Sequence, residues 1–146
     1  MRIVLDAMGT DSCPIPDVQG GVLAARELDA SIILVGDEAA IKSELAKHAT
    51  TGLDIEVLHA AQAITMEDKP SAVTKGKPDS SMHVGLNLVR TGHADGFVSM
   101  GNTGAAHAIS MLATLGRIRG VKRPALSAVF PIFGKPVIFT DIGANA

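Results

Sequence analysis

The sequence predicts an α/β fold in which helices cover both faces of a parallel β-sheet. Its short apolar runs are mostly continuous rather than alternating, as in strands that are buried on both faces. Segments with helical spacing separate these runs, so strands and helices alternate along the chain. With 146 residues, of which 47% are hydrophobic and 19% charged, the chain has the composition of one globular domain or part of one.

Five apolar runs are predicted to be strands of this sheet. They are Ile3-Val4-Leu5, Ile32-Ile33-Leu34-Val35, Ile55-Glu56-Val57-Leu58, Phe97-Val98 and Val137-Ile138-Phe139. Because crossovers between parallel strands are almost always right-handed, each intervening helix is expected to return over the sheet in that sense.

The first helix is expected between the first two strands. It begins at Pro14 or Pro16, because the first turn of a helix does not need the N–H group that proline lacks. Its inward face is expected to contain Ile15, Val18, Val22 and Ala25. Gly20 and Gly21 lie in its middle, where close packing of the backbone is the best reason for a glycine.

Capping residues predict the next two helices. Asp37 is a good N-cap for a helix that extends to Ala49. Asp79 or Ser80 caps a later helix, which Gly92 ends. Ser80 and Ser81 could instead be nucleophiles, but helix capping is the simpler explanation.

A fourth helix is expected after the fourth strand. It opens at Asn102 or Thr103 and runs to Leu115, where Gly116 ends it. Residues 65–78 combine lysine, glycine and proline and are expected to be the loosest stretch of the chain.

Composition and charge exclude several kinds of protein. A net charge of −2 gives no basic surface for a nucleic-acid backbone. Cys13 is the only cysteine, and the five histidines show no short metal-ligand spacing, so neither an internal disulfide nor a zinc site is expected. A lone Cys13 is better explained as inert than as an acyl acceptor. The first apolar run is too short for a signal peptide, so a cytoplasmic protein is expected.

The residues that follow the apolar runs are the first candidates for a site, because ligands bind beyond the carboxyl ends of parallel strands. These residues are Asp6, Gly36, Asp37, His59, Ser99 and Asp141. Asp37 is better explained as a helix cap. Asp6 and Asp141 could share a cleft, where they would orient a lysine or bind a metal. A purely structural role for both carboxylates is the better explanation.

The strongest local signal is a glycine-rich turn between a strand and a helix, Ser99-Met100-Gly101-Asn102-Thr103-Gly104-Ala105. Glycines let a ligand approach the backbone, and a helix N-terminus offers free N–H groups and a partial positive charge. Ser99, Asn102 and Thr103 add polar side chains. The turn indicates either a phosphate site or a purely structural turn, and the residues alone favour neither.

A basic cluster follows the fourth helix. It consists of Arg117, Arg119, Lys122 and Arg123. A solvated loop is the simpler interpretation. The alternative is that an arginine binds a phosphate with two hydrogen bonds, or that the cluster meets an acidic partner protein.

Seven stretches, in this order, resemble the PlsX family of phosphate:acyl-acyl-carrier-protein acyltransferases. They are Asp6-Ala7-Met8-Gly9 with Asp11; Val35-Gly36-Asp37; Lys69-Pro70; Asp79-Ser80-Ser81-Met82; Ala94-Asp95 leading to the turn at 99–105; Gly116-Arg117-Ile118 with Arg123-Pro124-Ala125-Leu126; and Gly134-Lys135-Pro136 with Asp141-Ile142-Gly143-Ala144-Asn145. The resemblance extends over essentially the whole chain. Two departures are Thr10, where the family usually has glycine, and residues 74–78, where it is more uniformly basic.

The resemblance implies a three-layer fold similar to the isocitrate/isopropylmalate dehydrogenase and phosphotransacetylase group. It also implies a homodimeric, cytoplasmic enzyme of phospholipid synthesis that can touch the inner face of the membrane. This enzyme moves a fatty acyl chain from acyl carrier protein to inorganic phosphate without a metal or another cofactor. The expected catalytic residues are Asn102, Asp6 and Asn145, and the expected phosphate-binding residues are Ser99, Gly101, Thr103, Gly104, Arg117 and Arg123.

Family members have longer chains, so residues 1–146 are interpreted as the amino-terminal part of an incomplete domain. Two other functions stay open. One is a phosphotransacetylase-like transfer between coenzyme A and phosphate, and the other is a non-catalytic fragment that binds acyl carrier protein. Whether residues 1–146 are active alone is also open.

Overall fold

A computed structural model describes residues 1–121 and 124–140. Its elements are β1 (Arg2–Asp6), α1 (Ile15–Glu27), β2 (Ser31–Gly36), α2 (Glu38–Leu45), β3 (Ile55–His59), α3 (Pro70–Gly76), α4 (Ser81–Arg90), β4 (Gly96–Val98), α5 (Thr103–Leu112), β5 (Ser127–Ile132) and β6 (Lys135–Thr140). The chain divides into two compact units, Met1–Gly116 and Arg117–Ala146.

The first unit is built on a four-stranded parallel sheet with the strand order β3-β2-β1-β4. Val4 of β1 lies opposite Ile33 of β2 on one side and opposite Phe97 of β4 on the other. From Ile32 to Gly36, every residue of β2 is buried, which explains its continuous apolar run. Four of the five predicted strands are therefore confirmed as parallel strands.

Helices cover both faces of the sheet and give the unit three layers. On one face, α1 and α2 pack against an apolar cluster that includes Leu34. On the other face, α4 packs against Val4 and Val35. A further cluster joins α3, α4 and α5, and in it Met82 and Ile109 are completely buried. The predicted α/β fold is confirmed.

Helix α1 begins where the prolines predict, with Pro14 as its N-cap. Gly21 is needed for close packing, since a Cβ atom there would lie 2.9 Å from Leu34 Cδ2 and 3.2 Å from Leu5 Cδ2. The same expectation for Gly20 is wrong, because nothing lies within 4 Å of a Cβ at that position. Ile15 was expected on the inward face but is 52% exposed, because the buried face of α1 begins only after the first helical residues.

The predicted N-caps are confirmed in three helices. The Asp37 carboxylate accepts a hydrogen bond from the Ala40 N–H at 3.1 Å, and Ser80 rather than Asp79 caps α4. Asn102 caps α5. The predicted C-terminal ends of the helices are less accurate, since α2 stops at Leu45 rather than Ala49 and α5 stops at Leu112 rather than Leu115. Gly116 still belongs to the α5 terminus, since its N–H donates to the Ser110 carbonyl at 2.9 Å with a φ of 78°.

Helix α3 lies in the stretch that was expected to be loosest, so that expectation is wrong. Pro70 occupies the first turn, where it costs no hydrogen bond. Val73 is 2% exposed and anchors the helix in the cluster with α4 and α5. Seven residues are too few to show a helical period, which explains why the pattern did not predict this helix.

The second unit contains an antiparallel hairpin of β5 and β6. Phe133 and Gly134 form its two-residue turn, with φ values of 48° and 75°. The prediction that residues 137–139 form a fifth parallel strand is wrong, because a connection this short can only join antiparallel neighbours. Phe130 and Phe139 pack edge to face across the hairpin, with ring centroids 5.4 Å apart.

Candidate functional site

The loops that follow β1 and β4 touch at one edge of the sheet. A Cβ atom on Gly9 would lie 2.9 Å from the backbone nitrogen of Gly101 and 3.1 Å from Ser99 Oγ. A Cβ atom on Gly101 would lie 3.2 Å from the Cα of Gly9. At Gly9 the nearest atoms are backbone nitrogens, whereas at Gly101 the nearest is the Met82 side chain, with Cε at 3.0 Å. Glycine at both positions lets the loops meet this closely.

Asp6 and Ser99 are joined across this contact by a hydrogen bond. The Ser99 hydroxyl donates to Asp6 Oδ2 at 2.8 Å and accepts from the Gly101 N–H at 3.0 Å. Asp6 Oδ1 accepts from the Met8 N–H at 3.0 Å, and Asp6 is only 1% exposed. Both carboxylate oxygens therefore shape the two loops, in agreement with a structural carboxylate.

The Asn102 carboxamide joins the glycine-rich turn to a distant part of the chain. Its oxygen accepts from the Ala105 N–H at 3.0 Å. Its nitrogen lies 3.1 Å from the Thr65 carbonyl oxygen, 3.0 Å from that of Asp68 and 3.4 Å from that of Met66. The donors that were expected to meet substrate are thus directed at backbone carbonyls of residues 65–68.

The first turn of α5 presents N–H groups that make no hydrogen bond within the described part of the chain. The backbone N–H groups of Thr103 and Gly104 donate to no residue that the structure describes, and both residues are exposed. Gly104 also lies against α3, since a Cβ atom there would be 2.8 Å from Pro70 Cγ. Two free donors at the positive end of a helix are suited to an anion such as phosphate.

Residues 63–69 are part of the connection between β3 and α3, and an ion pair helps to hold them in place. Lys77 Nζ donates to Asp68 Oδ2 at 2.5 Å and to the Ala63 carbonyl at 2.9 Å. The Thr65 N–H donates to the same carboxylate oxygen at 2.8 Å. The hydrogen bond from Lys77, followed by the one from the Thr65 backbone, holds the pKa of Asp68 below its ordinary value.

A partly enclosed cavity of about 260 Å³ lies between residues 63–67 and the loop after β1. It is lined by Met8, Gly9, Thr10, Asp11, Cys13, Ala63, Ile64, Thr65, Met66 and Glu67. Burial, aided by the charges of Asp17 and Asp6, raises the pKa of the Cys13 thiol. A thiol that resists ionisation is a poor nucleophile, which supports the view that Cys13 is inert.

Asp17 is a buried carboxyl group that the sequence did not single out. It is 4% exposed, and its Oδ2 accepts from the Thr10 hydroxyl at 2.6 Å. Its Oδ1 has no hydrogen-bond partner among the described residues. Burial raises the pKa of Asp17, although the Thr10 hydrogen bond opposes this effect. A signal was available, since Asp17 precedes Val18 on the inward side of an otherwise apolar helix face.

His83 is a buried histidine on α4. Its Nδ1 lies 2.9 Å from Ser80 Oγ, and its Nε2 lies 3.3 Å from the Thr74 carbonyl oxygen. Burial lowers the pKa of His83, so the ring is neutral at neutral pH. Among residues 1–121 and 124–140, no group of three or more His, Cys, Asp or Glu side chains could hold a metal ion.

The structure brings together six of the expected site residues at one edge of the first unit. They are Asp6, Ser99, Gly101, Asn102, Thr103 and Gly104. Arg117 belongs to the second unit and is exposed. Arg123, Asp141 and Asn145 lie outside the described residues. In the described part of the chain, no helix has both the length and the apolar character to cross a membrane.

Comparison with known proteins identifies close relatives. The family model described as "Fatty acid synthesis protein" matches residues 1–146. A phosphate acyltransferase of Koribacter versatilis is 48% identical over 147 residues, which are 99% of this chain and 41% of the relative. Phosphate acyltransferases of Herpetosiphon aurantiacus and Geobacter sulfurreducens are 49% and 43% identical over 99% of this chain and 39% and 42% of their own lengths. The chain thus spans about two fifths of the length of these curated relatives.

A solved structure has a similar fold. A phosphotransacetylase from Streptococcus pyogenes superposes with a TM-score of 0.60 at 20% sequence identity. The match covers 97% of this chain and 46% of the phosphotransacetylase. At this identity the likeness establishes the fold alone, and it confirms the expected similarity to the phosphotransacetylase group.

Proposed function

The chain belongs to the fatty acid synthesis protein family, the PlsX family that its motifs resemble, and we propose that it forms part of an enzyme that transfers a fatty acyl chain from acyl carrier protein to inorganic phosphate. The product is an acyl phosphate for phospholipid synthesis. Relatives named phosphate acyltransferase support the transferase class. The donor, the product and the partners belong to the proposal, because the chain matches only 41% of the first of these relatives.

The contact between the loops after β1 and β4 is the observation that carries this proposal. It fixes a glycine-rich turn whose following helix offers the free N–H groups of Thr103 and Gly104. Phosphate matches such a site, because it is a compact anion with several acceptor oxygens. The exposed Thr103 side chain adds a hydroxyl at the same helix end.

The proposed reaction needs positioning more than a protein nucleophile. A phosphate oxygen attacks the thioester carbonyl carbon, a C–O bond forms, and the C–S bond breaks. The electron pair of that bond leaves with sulfur as the thiolate of the carrier's prosthetic arm, which then takes a proton from solvent. The enzyme lowers the barrier by holding phosphate against the face of the thioester carbonyl carbon and by stabilising the oxyanion that forms on the carbonyl oxygen.

The proposed residue roles follow from the contacts at the turn. Thr103 and Gly104 bind phosphate through their N–H groups, while Ser99 and Gly101 shape the turn. Asp6 orients Ser99, and Asn102 holds the turn in place.

Other expected roles remain predictions. Arg117 and Arg123 are proposed to contact phosphate, and Asn145 is proposed as a further catalytic residue in the complete enzyme. Acyl carrier protein is the proposed donor, and a homodimer in the cytoplasm, in peripheral contact with the membrane, is the proposed state of the whole protein.

The decisive experiment measures the release of free acyl carrier protein from palmitoyl-acyl carrier protein, with and without inorganic phosphate. The 146-residue chain and the complete product of its gene are assayed side by side, and sulfate replaces phosphate in a control. Palmitoyl-coenzyme A serves as the alternative donor. Phosphate-dependent release from the carrier-protein thioester supports the proposal.

The other outcomes separate the alternatives. Release only from palmitoyl-coenzyme A would indicate a phosphotransacetylase-like donor. Binding of acyl carrier protein without release by either protein would indicate a non-catalytic function. Release by the complete product but not by residues 1–146 would mean that the remaining part of the enzyme is required for catalysis.

A further inference from the structure

An ion pair outside the glycine-rich turn is connected to that turn through the side chain of Asn102. Lys77 binds the Asp68 carboxylate, and the Asp68 carbonyl accepts a hydrogen bond from Asn102. Building on the proposed function, we propose that Asp68 and Lys77 are positioning residues: acting through Asn102, they hold the N-terminus of α5 in the orientation that binds phosphate.

The geometry at Asn102 makes this connection specific. Its carboxamide NH2 group has two N–H bonds to donate. The nitrogen lies within 3.4 Å of three carbonyl oxygens, those of residues 65, 66 and 68. Its oxygen accepts from the Ala105 N–H in the first turn of α5. A displacement of residues 65–68 therefore changes the orientation of the carboxamide, and with it the cap of α5.

Residues 63–69 form neither helix nor strand. A backbone hydrogen bond from the Asp68 N–H to the Thr65 carbonyl at 3.3 Å and several side-chain contacts hold their conformation. Asp68 Oδ2 accepts from the Thr65 N–H, the Thr65 hydroxyl and Lys77. Lys77 reaches across the same segment to the Ala63 carbonyl. Lys77 thus contacts both ends of the segment that supplies the acceptors for Asn102.

The expected effect is on phosphate binding rather than on the stability of the fold. The side chains of Asp68 and Lys77 are 23% and 30% exposed, and ion pairs with this much solvent access contribute little to the free energy of unfolding. Residues 63–67 also line the cavity that faces Gly9 and Thr10. Loss of the pair would therefore disturb the turn and one wall of this cavity while the apolar core stays intact.

Lys75 provides a matched control close by, since it lies in the last turn of α3 and Lys77 is the C-cap of that helix. Lys75 is exposed and forms neither an ion pair nor a side-chain hydrogen bond with the described residues. Lys77→Met and Lys75→Met remove the same charge, two residues apart, so a purely electrostatic effect on an acidic partner should be similar in both. Lys77→Arg retains the charge and the donors needed to reach Asp68.

The test uses the complete gene product and two measurements. In the transfer assay, Lys77→Met should raise the KM for phosphate about three- to tenfold relative to Lys75→Met, with a smaller change in kcat and in the KM for the acyl donor. Lys77→Arg should recover most of the loss. Hydrogen–deuterium exchange of a peptide spanning residues 99–106 should be faster in Lys77→Met than in Lys75→Met, while the unfolding midpoints stay similar.

The two measurements distinguish the possible failures. If the exchange rates and the KM for phosphate are the same in Lys77→Met and Lys75→Met, the positioning role is overturned. If exchange changes while the KM for phosphate does not, the ion pair holds the turn but does not serve phosphate binding, and the proposal again fails. If the wild-type protein shows no phosphate-dependent transfer, the proposed function fails, and exchange alone decides whether the ion pair holds the turn.

Discussion

Gly9 and Gly101 meet backbone to backbone: a Cβ atom on Gly9 would lie 2.9 Å from the Gly101 nitrogen. The two residues are far apart in sequence but follow adjacent parallel strands, so the sheet brings their loops together. Because the Gly101 N–H also donates to Ser99, a shift of either loop would disturb the hydrogen bonds that shape the other.

Replacing Gly9 by alanine is expected to separate the two loops. The added methyl group meets backbone atoms that cannot rotate away, so we expect a loss of about 1–3 kcal/mol in the free energy of unfolding. The KM for phosphate should rise in the complete enzyme. Urea unfolding and the transfer assay measure these effects, with Gly20→Ala as the control because nothing lies within 4 Å of a Cβ there. Wild-type stability in Gly9→Ala would contradict the proposed contact.

The hydrogen bond between Ser99 and Asp6 should appear as an energetic coupling. Ser99→Ala leaves a buried carboxylate oxygen without its donor, which costs about 1–3 kcal/mol in the free energy of unfolding. A double-mutant cycle with Asp6→Asn should give a coupling energy of about 0.5–3 kcal/mol, measured by urea unfolding. Ser99→Thr retains a hydroxyl group and should lose less. Additive effects of Ser99→Ala and Asp6→Asn would show that the two side chains do not interact.

The sequence predicted those parts of the fold that depend on local patterns. The four parallel strands appear as continuous apolar runs because the helices bury both their faces, and the caps Asp37 and Asn102 appear because they act within one helical turn. Helix α3 was missed because its seven residues are fewer than two full helical repeats. The predicted direction of β6 was wrong because an apolar run does not reveal which strand pairs with it.

The site was predictable in its residues but not in its contacts. Strand ends and glycines pointed to Asp6, Ser99 and the turn at 101–104. The carbonyl acceptors of the Asn102 nitrogen lie 34 to 37 residues earlier in the chain, and no local pattern indicates that separation. Asp17 was overlooked because a single carboxyl group in the first turn of a helix resembles an ordinary favourable charge.

Two neighbouring glycines in α1 should respond in opposite directions to the same substitution. Gly20→Ala adds a methyl group in open space and restricts the unfolded chain, so it should stabilise the protein by about 0.5–1 kcal/mol. Gly21→Ala places its methyl group 2.9 Å from Leu34 Cδ2 and should destabilise the protein by about 1 kcal/mol or more. Urea unfolding of both variants measures the difference. Equal shifts would mean that α1 does not pack on the sheet through Gly21.

His83 should make the stability of the protein depend on pH in the acidic range. Burial lowers the pKa of His83 from its ordinary value of 6.5. Below pH 6.5 the unfolded chain therefore takes up a proton at this residue that the folded protein resists. The contribution of His83 to the free energy of unfolding is fully present above pH 6.5. It falls as the pH decreases towards the pKa that His83 has in the folded protein, and below that pKa it stays constant.

His83→Gln isolates this contribution, because glutamine does not titrate. The stability of the wild type relative to His83→Gln should be greatest above pH 6.5 and should shrink as the pH falls below that value, as measured by urea unfolding at each pH. His93→Gln is the control, because His93 is exposed and its replacement shows the effect of removing a histidine that is not buried. A difference between wild type and His83→Gln that stays constant across this range would contradict a neutral, buried ring, because only unequal proton uptake by the folded and unfolded states produces a slope.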